Sequence, residues 1–294
     1  MHIGITGASG FIGRQLIQEA LSREHVVTPY SRRQAAQVPG CEPVRIFGPQ
    51  IDLSGLNAVI HLAGESILGL WTKRKRTKIL QSRIDGTRWI IDAIARARIK
   101  PSALISASGV SIYGNRGEEI LTDSSSPNTA DLLAQVAMAW ETEGSKAEAE
   151  GVRYVPVRVA MVLGKTGGAI PLMKAGFQVG LGGNLGSGKQ WMPWIHVADV
   201  AALFLHALET ESVRGPLNGT SPNQVRNEQF TKIMGDLLRR PTFFAVPEFA
   251  LRMLPANEAS LFLDSQRIVP EKALQTGFRF RFPDLRNALT DILT

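Results

Sequence analysis

Residues 2–13 read His-Ile-Gly-Ile-Thr-Gly-Ala-Ser-Gly-Phe-Ile-Gly, a short apolar run followed by Gly7, Gly10 and Gly13 at intervals of three. The run has the composition of a buried strand. An amphipathic helix, roughly Phe11 to Arg23, follows it, so the glycines occupy a strand–turn–helix junction. A tight turn often needs a positive φ, which Gly7 can adopt, and the missing Cβ of Gly10 lets backbone come close to a ligand. Gly13 lets the helix approach its strand. The helix start then presents unpaired N–H groups and the positive end of its dipole to the turn. This is the logic by which a dinucleotide pyrophosphate is held; a plain glycine turn is the alternative reading.

The next strand-like segment, His25 to Tyr30, ends at Ser31-Arg32-Arg33. In a dinucleotide-binding sheet the residue closing the second strand meets the adenosine ribose. An acid there accepts from the free 2′-hydroxyl of NAD, whereas Arg accommodates the 2′-phosphate of NADP. Here no acid is present. A phosphate beside Arg32 gains charge-assisted hydrogen bonds and Ser31 can donate another, so NADP(H) is the cofactor expected. Otherwise the two arginines are ordinary loop charges.

Prolines and glycines between residues 34 and 56 leave room only for a brief edge strand around Val44 to Phe47. Ala58 to Leu62 is an apolar run of the kind a parallel strand buried on both faces requires. Trp71 to Arg98 repeats apolar residues near the helical period, and Ala103 to Ala107 is another buried strand, ending in Ser106-Ala107-Ser108-Gly109. A polar loop from Asn115 to Thr129 precedes a helix from about Ala130 to Glu150, then a strand from Val152 to Leu163 with Arg158 inside it. Strand and helix alternate throughout, which predicts an α/β fold: a doubly wound parallel sheet of Rossmann type.

From Gly164 glycines crowd the chain, interrupted by Trp191, Met192, Trp194 and Ile195, which reads as an irregular lobe over residues 164–195. Val197 to Leu208 returns to helix and Gly215 to Gly219 to a late strand. The tail contains a helix capped by Asn227 and running to about Arg239, another near Glu248 to Met253, an alternating run Phe278 to Phe282, and a terminal helix from Asp284 to Leu293 opened by Pro283. The expected division is therefore 1–220, an NADP(H)-binding Rossmann domain carrying the lobe, and 221–294, a small α-rich C-terminal cap.

A single cysteine, Cys41, excludes an internal disulfide, and no Cys/His cluster has metal-ligand spacing. The net charge of +7 is spread along the chain without a nucleic-acid motif, and suits attraction to anionic small molecules equally well. The densest basic run, Lys73-Arg74-Lys75-Arg76, reads as a solvated helix face, with contact to a substrate phosphate as the alternative. No apolar run approaches the ~18 residues that cross a bilayer, and strand-like residues begin at His2, so no signal peptide and a cytoplasmic location are expected. The partner expected is a small-molecule substrate, not nucleic acid or membrane; a homodimer stays open.

Taken together, Thr6-Gly7-Ala8-Ser9-Gly10-Phe11-Ile12-Gly13, His61-Leu62-Ala63-Gly64, Asp85-Gly86-Thr87 and Trp194-Ile195-His196-Val197-Ala198-Asp199-Val200 resemble motifs of the extended and atypical short-chain dehydrogenase/reductases, the NAD(P)-dependent epimerase/dehydratase superfamily. Ser31-Arg32, Leu62-Ala63-Gly64-Glu65, Ser82-Arg83, Trp140-Glu141, Leu181-Gly182-Gly183 and Gly277-Phe278 resemble its "epimerase family protein" branch, which has its own C-terminal extension. The resemblance covers nearly the whole chain. It implies NADP(H) contacts from Gly7, Ser9, Gly10, Phe11, Ile12, Gly13, Ser31, Arg32, Arg33, Leu62, Ala63, Gly64, Glu65 and Arg83.

The superfamily's hydride chemistry relies on Tyr-x-x-x-Lys, in which the tyrosine exchanges a proton with the substrate oxygen and the lysine lowers the phenol pKa. This chain lacks the motif. Residues four beyond Tyr30, Tyr113 and Tyr154 are Gln34, Gly117 and Arg158, and alignment on Trp140-Glu141 puts Leu133 and Ala137 in the two positions. Ser108 is expected to polarise the substrate oxygen. Tyr113, Glu65 and His196 are candidate proton donors, each with a competing structural reading as turn packing, helix-start or ribose ligand, and buried histidine. Two functions follow: an NADP(H)-dependent oxidoreductase or epimerase acting on a carbonyl or nucleotide-sugar-like substrate, or a non-catalytic NADPH-binding sensor.

Overall fold

A computed structural model describes residues 1–294 apart from 33–36, 68, 70, 129–131 and 254–255. Its first half runs β1 (His2–Thr6), α1 (Phe11–Ser22), β2 (Val26–Ser31), β3 (Arg45–Ile46), β4 (Ala58–His61), α2 (Lys73–Arg96) and β5 (Ala103–Gly109). Then follow β6 (Ile120–Leu121), α3 (Leu132–Ser145), a 3-10 turn at Lys146–Glu150, β7 (Arg153–Val159), β8 (Met161–Gly164) and β9 (Gly167–Gly168). After α4 (Ile170–Gln178) come β10 (Trp191–Met192), β11 (Trp194–His196), α5 (Val197–Glu209), β12 (Leu217–Gly219) and β13 (Val225–Arg226). The tail is α6 (Asn227–Leu238), α7 (Glu248–Arg252), α8 (Ala256–Leu263), β14 (Arg267–Ile268), α9 (Glu271–Gln275) and α10 (Leu285–Leu293).

The large sheet has the order β12-β7-β5-β4-β1-β2-β3. Neighbours β3/β2, β2/β1, β1/β4 and β4/β5 are parallel, with Thr6 beside Tyr30 on one side and His61 on the other, and His61 beside Ser106. Chain direction across the sheet therefore reverses between β1 and β4, and the carboxyl ends of these strands bound the crevice where such sheets hold ligands. The doubly wound Rossmann sheet expected from the alternating pattern is present.

Apolar composition explains why these strands lie in the interior. All four residues of β4 are buried, and α2 turns Ile79, Ile90, Ile91 and Ile94 inward at helical spacing. Ile90 and Ile94 join Tyr30, Phe47, Leu56, Val59 and Leu104 in one core. Each such large apolar side chain contributes about 1.5–3 kcal/mol relative to exposure.

The chain forms two compact units, one of residues 1–109, 136–158 and 201–217, the other of 110–135, 159–200 and 218–294. This differs from a single boundary near residue 220. The reason lies in the second unit's own core, where Leu163, Ile170, Phe177 and Trp194 pack with Phe230, Met234, Leu285 and Leu289 from the tail helices.

Two local expectations are corrected, and one alternating run is placed. The strand read over 152–163 breaks at Ala160: β7 joins the large sheet, while β8 pairs with β11 and β9 in a sheet of three strands. The lobe at 164–195 contains α4, opened by Pro171 in its first turn and buried through Ile170 and Phe177; glycine density had masked its short apolar period. The alternating run Phe278 to Phe282 forms no strand, because the N–H groups of Arg281 and Phe282 donate to the Asp199 carboxylate (2.7 and 2.9 Å).

Helix ends follow capping chemistry. Asp284 caps α10 by accepting from Asn287 N at 3.2 Å, which exposes Leu285, Ala288, Leu289 and Ile292 to the core along one face. At α6 the expected cap is displaced: Arg226 holds the cap position and Asn227 is the first helical residue. The Asn227 side chain accepts from Leu185 N (2.8 Å), and so ties the glycine segment to the helix instead of capping it. No helix among the described residues is long and apolar enough to cross a membrane.

Candidate cofactor cradle and the Ser108 cluster

Gly7 has φ +71°, the left-handed region in which an L side chain is strained, and Gly10 N closes the turn on Gly7 O at 2.9 Å. A Cβ at Gly7 would stand 2.8 Å from the Leu62 carbonyl carbon and 2.9 Å from Ala63 N, so β4's exit loop presses directly on the turn. A Cβ at Gly13 would lie 2.9 Å from Ala8 Cα and closer still to Gly7 O. At Gly10, by contrast, it would meet, among the described residues, only Gly7 O at 3.0 Å. Helix α1 starts without a side-chain cap and without an acid in its first turn. Its leading N–H groups and dipole are thus offered to an anion, which makes this cradle a fit for a pyrophosphate.

Beneath the turn, Thr6 Oγ1 lies 3.2 Å from both Leu62 N and Ala63 N and 2.7 Å from His61 Nδ1. Because Thr6 accepts from the two amides, its own proton goes to His61 Nδ1, which assigns the imidazole proton to Nε2. His61 is buried, and its Nε2 has no hydrogen-bond partner among the described residues. Trp140 stands edge-on at 6.2 Å and Phe47 tilted at 5.7 Å. Burial, aided by the Arg83 charge, pushes the His61 pKa down to about 3.

This has a measurable consequence. The unfolded chain protonates His61 below about pH 6.5, whereas the fold keeps it neutral. Its contribution to stability is therefore full above that pH and is lost as pH falls toward about 3. The loss amounts to about 1.4 kcal/mol per pH unit. Urea unfolding from about pH 7 to about pH 4.5 should show a slope shallower by roughly that amount in His61→Asn than in the parent protein. Parallel slopes would refute the buried neutral histidine.

Charge gathers at the ends of β2 and β4. Glu65 Oε1 pairs with Lys75 Nζ at 2.7 Å. The Lys75 hydrogen bond holds the Glu65 carboxyl below its usual range, with smaller contributions from Lys78 and Arg32. Lys75 thus belongs to the basic run read as a solvated face, yet it is engaged at the cradle. Arg32 is exposed beyond β2, and Arg33 lies outside the described residues. Arg83 donates to the Glu65 carbonyl (3.1 Å) and the Ile79 carbonyl (2.9 Å), and its guanidinium stands 4.9 Å over the Trp140 ring. Burial lowers its pKa to about 10, which leaves it protonated at neutral pH. Arg83 therefore braces the Leu62–Glu65 loop against α3.

At the end of β5, Ser108 Oγ donates to Glu141 Oε1 at 2.7 Å. Arg158 grips the same carboxylate with two N–H groups, Nε to Oε1 at 2.9 Å and Nη2 to Oε2 at 2.8 Å. Ser108 and Arg158 are almost fully buried. Tyr154, four residues before Arg158 on β7, hydrogen-bonds Ser106, and burial raises its phenol well above the usual value. It fills the space that a side chain at Gly144 would need. Sequence reading noted Glu141 and Arg158 but assigned neither a role. The signal was present: an arginine inside an apolar strand needs a buried acid, and Glu141 lies one helical turn past Ala137.

The other candidates are placed as follows. The Tyr113 hydroxyl is buried, 2.7 Å from Asn218 Oδ1 and 3.0 Å from the Thr122 carbonyl, and so serves turn packing. His196 is buried with Nδ1 accepting from Ala198 N at 3.2 Å, its ring 4.0 Å from Phe282 and Nε2 3.3 Å from Asp291. Burial lowers its pKa, partly offset by Asp291 and Asp199. Trp194 belongs to the core, whereas the guanidinium groups of Arg226 (4.4 Å) and Arg267 (4.7 Å) stand over the ring of Trp191, which donates to Glu118 (2.9 Å). Leu133 and Ala137 are buried apolar residues of α3. Among the described residues no group of three or more His, Cys, Asp or Glu could hold a metal ion.

Comparison with known proteins agrees with this geometry. Residues 3–218 match the model of the NAD dependent epimerase/dehydratase family, and residues 246–292 match a domain of unknown function, DUF1731. The chain is 37% identical over 298 residues to the epimerase family protein YfhF of Bacillus subtilis, covering all of this chain and 98% of that protein. It is 36% identical over 303 residues to the chloroplastic SDR39U1 homolog of Arabidopsis thaliana, across all of this chain and 87% of that one. The crystal structure of human epimerase family protein SDR39U1 with NADPH superposes with a TM-score of 0.90 at 32% identity, covering 99% of both chains. UDP-N-acetylglucosamine 4-epimerase from Bacillus cereus, 17% identical at a TM-score of 0.78, shares the fold. The glycine cradle, the Rossmann strand order and these matches together show that the chain belongs to the NAD dependent epimerase/dehydratase family, in the epimerase family protein branch whose tail is DUF1731.

Proposed function

We propose that this protein is an NADP(H)-dependent oxidoreductase of epimerase type, acting on a hydroxyl- or carbonyl-bearing, nucleotide-sugar-like substrate. The observation that carries the reading is the anion cradle at the start of α1, open at Gly10, with Arg32 exposed just past the end of β2, which closes on Ser31 and not on an acid. Similarity to human SDR39U1, crystallised with NADPH, supports the choice of cofactor.

In this reading Gly7, Ser9, Gly10, Phe11, Ile12 and Gly13 hold the pyrophosphate through backbone N–H groups. Ser31, Arg32 and Arg33 take the 2′-phosphate. Leu62, Ala63, Gly64 and Glu65 form the floor, which Arg83 braces. The bound cofactor supplies or accepts hydride at its nicotinamide, and Ser108 meets the substrate oxygen. A second reading, a non-catalytic NADPH sensor, is favoured by one observation: the two positions expected to hold tyrosine and lysine are the buried apolar Leu133 and Ala137.

Calorimetry tests the cofactor. NADPH should bind more tightly than NADH, and Arg32→Ala should weaken NADPH about 10- to 100-fold, the worth of a charge-assisted phosphate contact, while leaving NADH unchanged. Equal affinity for the two cofactors, or a variant that loses both alike, would sink the assignment. Turnover against tight binding without turnover then separates enzyme from sensor.

A further inference from the structure

We infer that Ser108, Glu141 and Arg158 form a proton relay that does the work of the absent tyrosine and lysine, and that it selects a substrate hydroxyl over a carbonyl. The inference rests on the oxidoreductase reading above. Its basis is the direction of the hydrogen bonds. The Glu141 carboxylate accepts two N–H groups from Arg158, and the Ser108 hydroxyl donates to it. The hydroxyl proton of Ser108 is thereby committed, and Oγ offers only lone pairs on its remaining side. A carbonyl oxygen, itself an acceptor, gains nothing there, whereas a hydroxyl donates into it.

Position supports the same conclusion. Ser106 sits opposite His61, and His61 opposite Thr6, at the strand ends below the glycine turn. Ser108 lies two residues further along β5, on the same face as Ser106 and at the carboxyl end of the strand, past the last residues of β1 and β4. Glu141 approaches from α3, the helix on which the family's tyrosine and lysine would stand, one turn beyond Ala137.

The balanced step is the oxidation of a secondary alcohol. The substrate C–H bond breaks, and its electron pair leaves as hydride to an oxidised nicotinamide, which is reduced. The substrate O–H proton passes to Ser108 Oγ as the proton already on Ser108 moves to the Glu141 carboxylate, and the substrate becomes a carbonyl. Glu141, now a neutral acid, returns its proton to water, or through Ser108 to the carbonyl when hydride flows back. Arg158 is a positioning residue that holds the carboxylate against Ser108.

Two measurements test the relay. Neutron diffraction from deuterated, cofactor-free protein should place the Ser108 deuterium on the line to Glu141 Oε1; a deuterium on Glu141, or one pointing away from it, overturns the inference. Separately, NADP+ reduction is followed with cyclohexanol and UDP-glucose as probes, with NADPH affinity in each variant showing that the cradle has folded. Glu141→Gln, which keeps a hydrogen-bonding side chain but no base, should lower the rate at least about 100-fold, the worth of general base catalysis. Glu141→Asp, which keeps the base, should recover at least about tenfold of that loss. Turnover by Glu141→Gln at the parent rate, or a failure of Asp to rescue, overturns the relay while leaving the oxidoreductase reading standing. A parent protein that binds NADPH but turns over neither probe overturns both the relay and the enzymatic half of that reading, and leaves cofactor binding intact.

Discussion

Gly13→Ala is expected to lower the unfolding free energy by about 3 kcal/mol and to abolish NADPH binding. Overpacking usually costs about 1–3 kcal/mol, and this site lies at the upper end because the atoms in the way are backbone. A Cβ there would press on Gly7 O and on Ala8 Cα and O, which cannot rotate aside as a flexible side chain would. Relief requires α1 to move away from β1, and that displaces the helix start offered to the pyrophosphate. Two comparisons make the cause visible. Gly10→Ala meets one atom at 3.0 Å and should cost little stability while still impairing cofactor binding, because the approach of a ligand is closed. Gly48→Ala meets nothing within 4 Å among the described residues and should change neither property. Urea unfolding and NADPH fluorescence titration on the three variants would reveal the pattern. An unchanged midpoint in Gly13→Ala would contradict the close approach of helix and turn.

Arg158→Ala should destabilise the protein by about 3–5 kcal/mol, the usual result of stripping one partner from a buried ion pair. The pair is well enclosed, with side-chain exposures of 5% for Arg158 and 14% for Glu141. Removal of the guanidinium leaves the carboxylate, among the described residues, with only the Ser108 hydroxyl as hydrogen-bond partner, and near it stands the Tyr154 phenol, whose pKa burial already raises. The double variant Arg158→Met/Glu141→Leu should regain most of the lost stability, since apolar replacements of similar volume need no partner. Chemical denaturation of the three proteins checks this. A single variant less than about 1 kcal/mol below the parent would mean that water reaches the carboxylate and screens it, as at an exposed pair.

How much of this was legible beforehand depends on the range over which the determining contacts act. The glycine turn, α1 and the buried strands β1, β4 and β5 could be read directly, because a positive φ, a helix start and a doubly buried strand each leave their mark within a few neighbouring residues. The placing of Ser31 and Arg32 at the end of β2 is legible for the same reason, because a strand end is set by residues close to it. The break at Ala160 was not legible, since Val152 to Leu163 is apolar throughout and only pairing partners far away in sequence separate β7 from β8. Helix α4 was hidden among glycines that turn the chain on either side of it, and Phe278 to Phe282 imitates a strand although Asp199 dictates its path.

The chemistry at Ser108 divides in the same way. That β5 ends in serines follows from residues 106–109 alone, and the loss of Tyr-x-x-x-Lys can be seen in the sequence. That Ser108 donates to Glu141, and that Arg158 holds Glu141, came only with the tertiary structure, because the three residues belong to β5, α3 and β7 and meet across 33 and 17 positions of chain. Turn geometry, helix capping and strand burial are set by neighbouring residues and so are written locally. The direction of a hydrogen bond between elements is set by which donors and acceptors the fold brings within reach, and no local pattern encodes that.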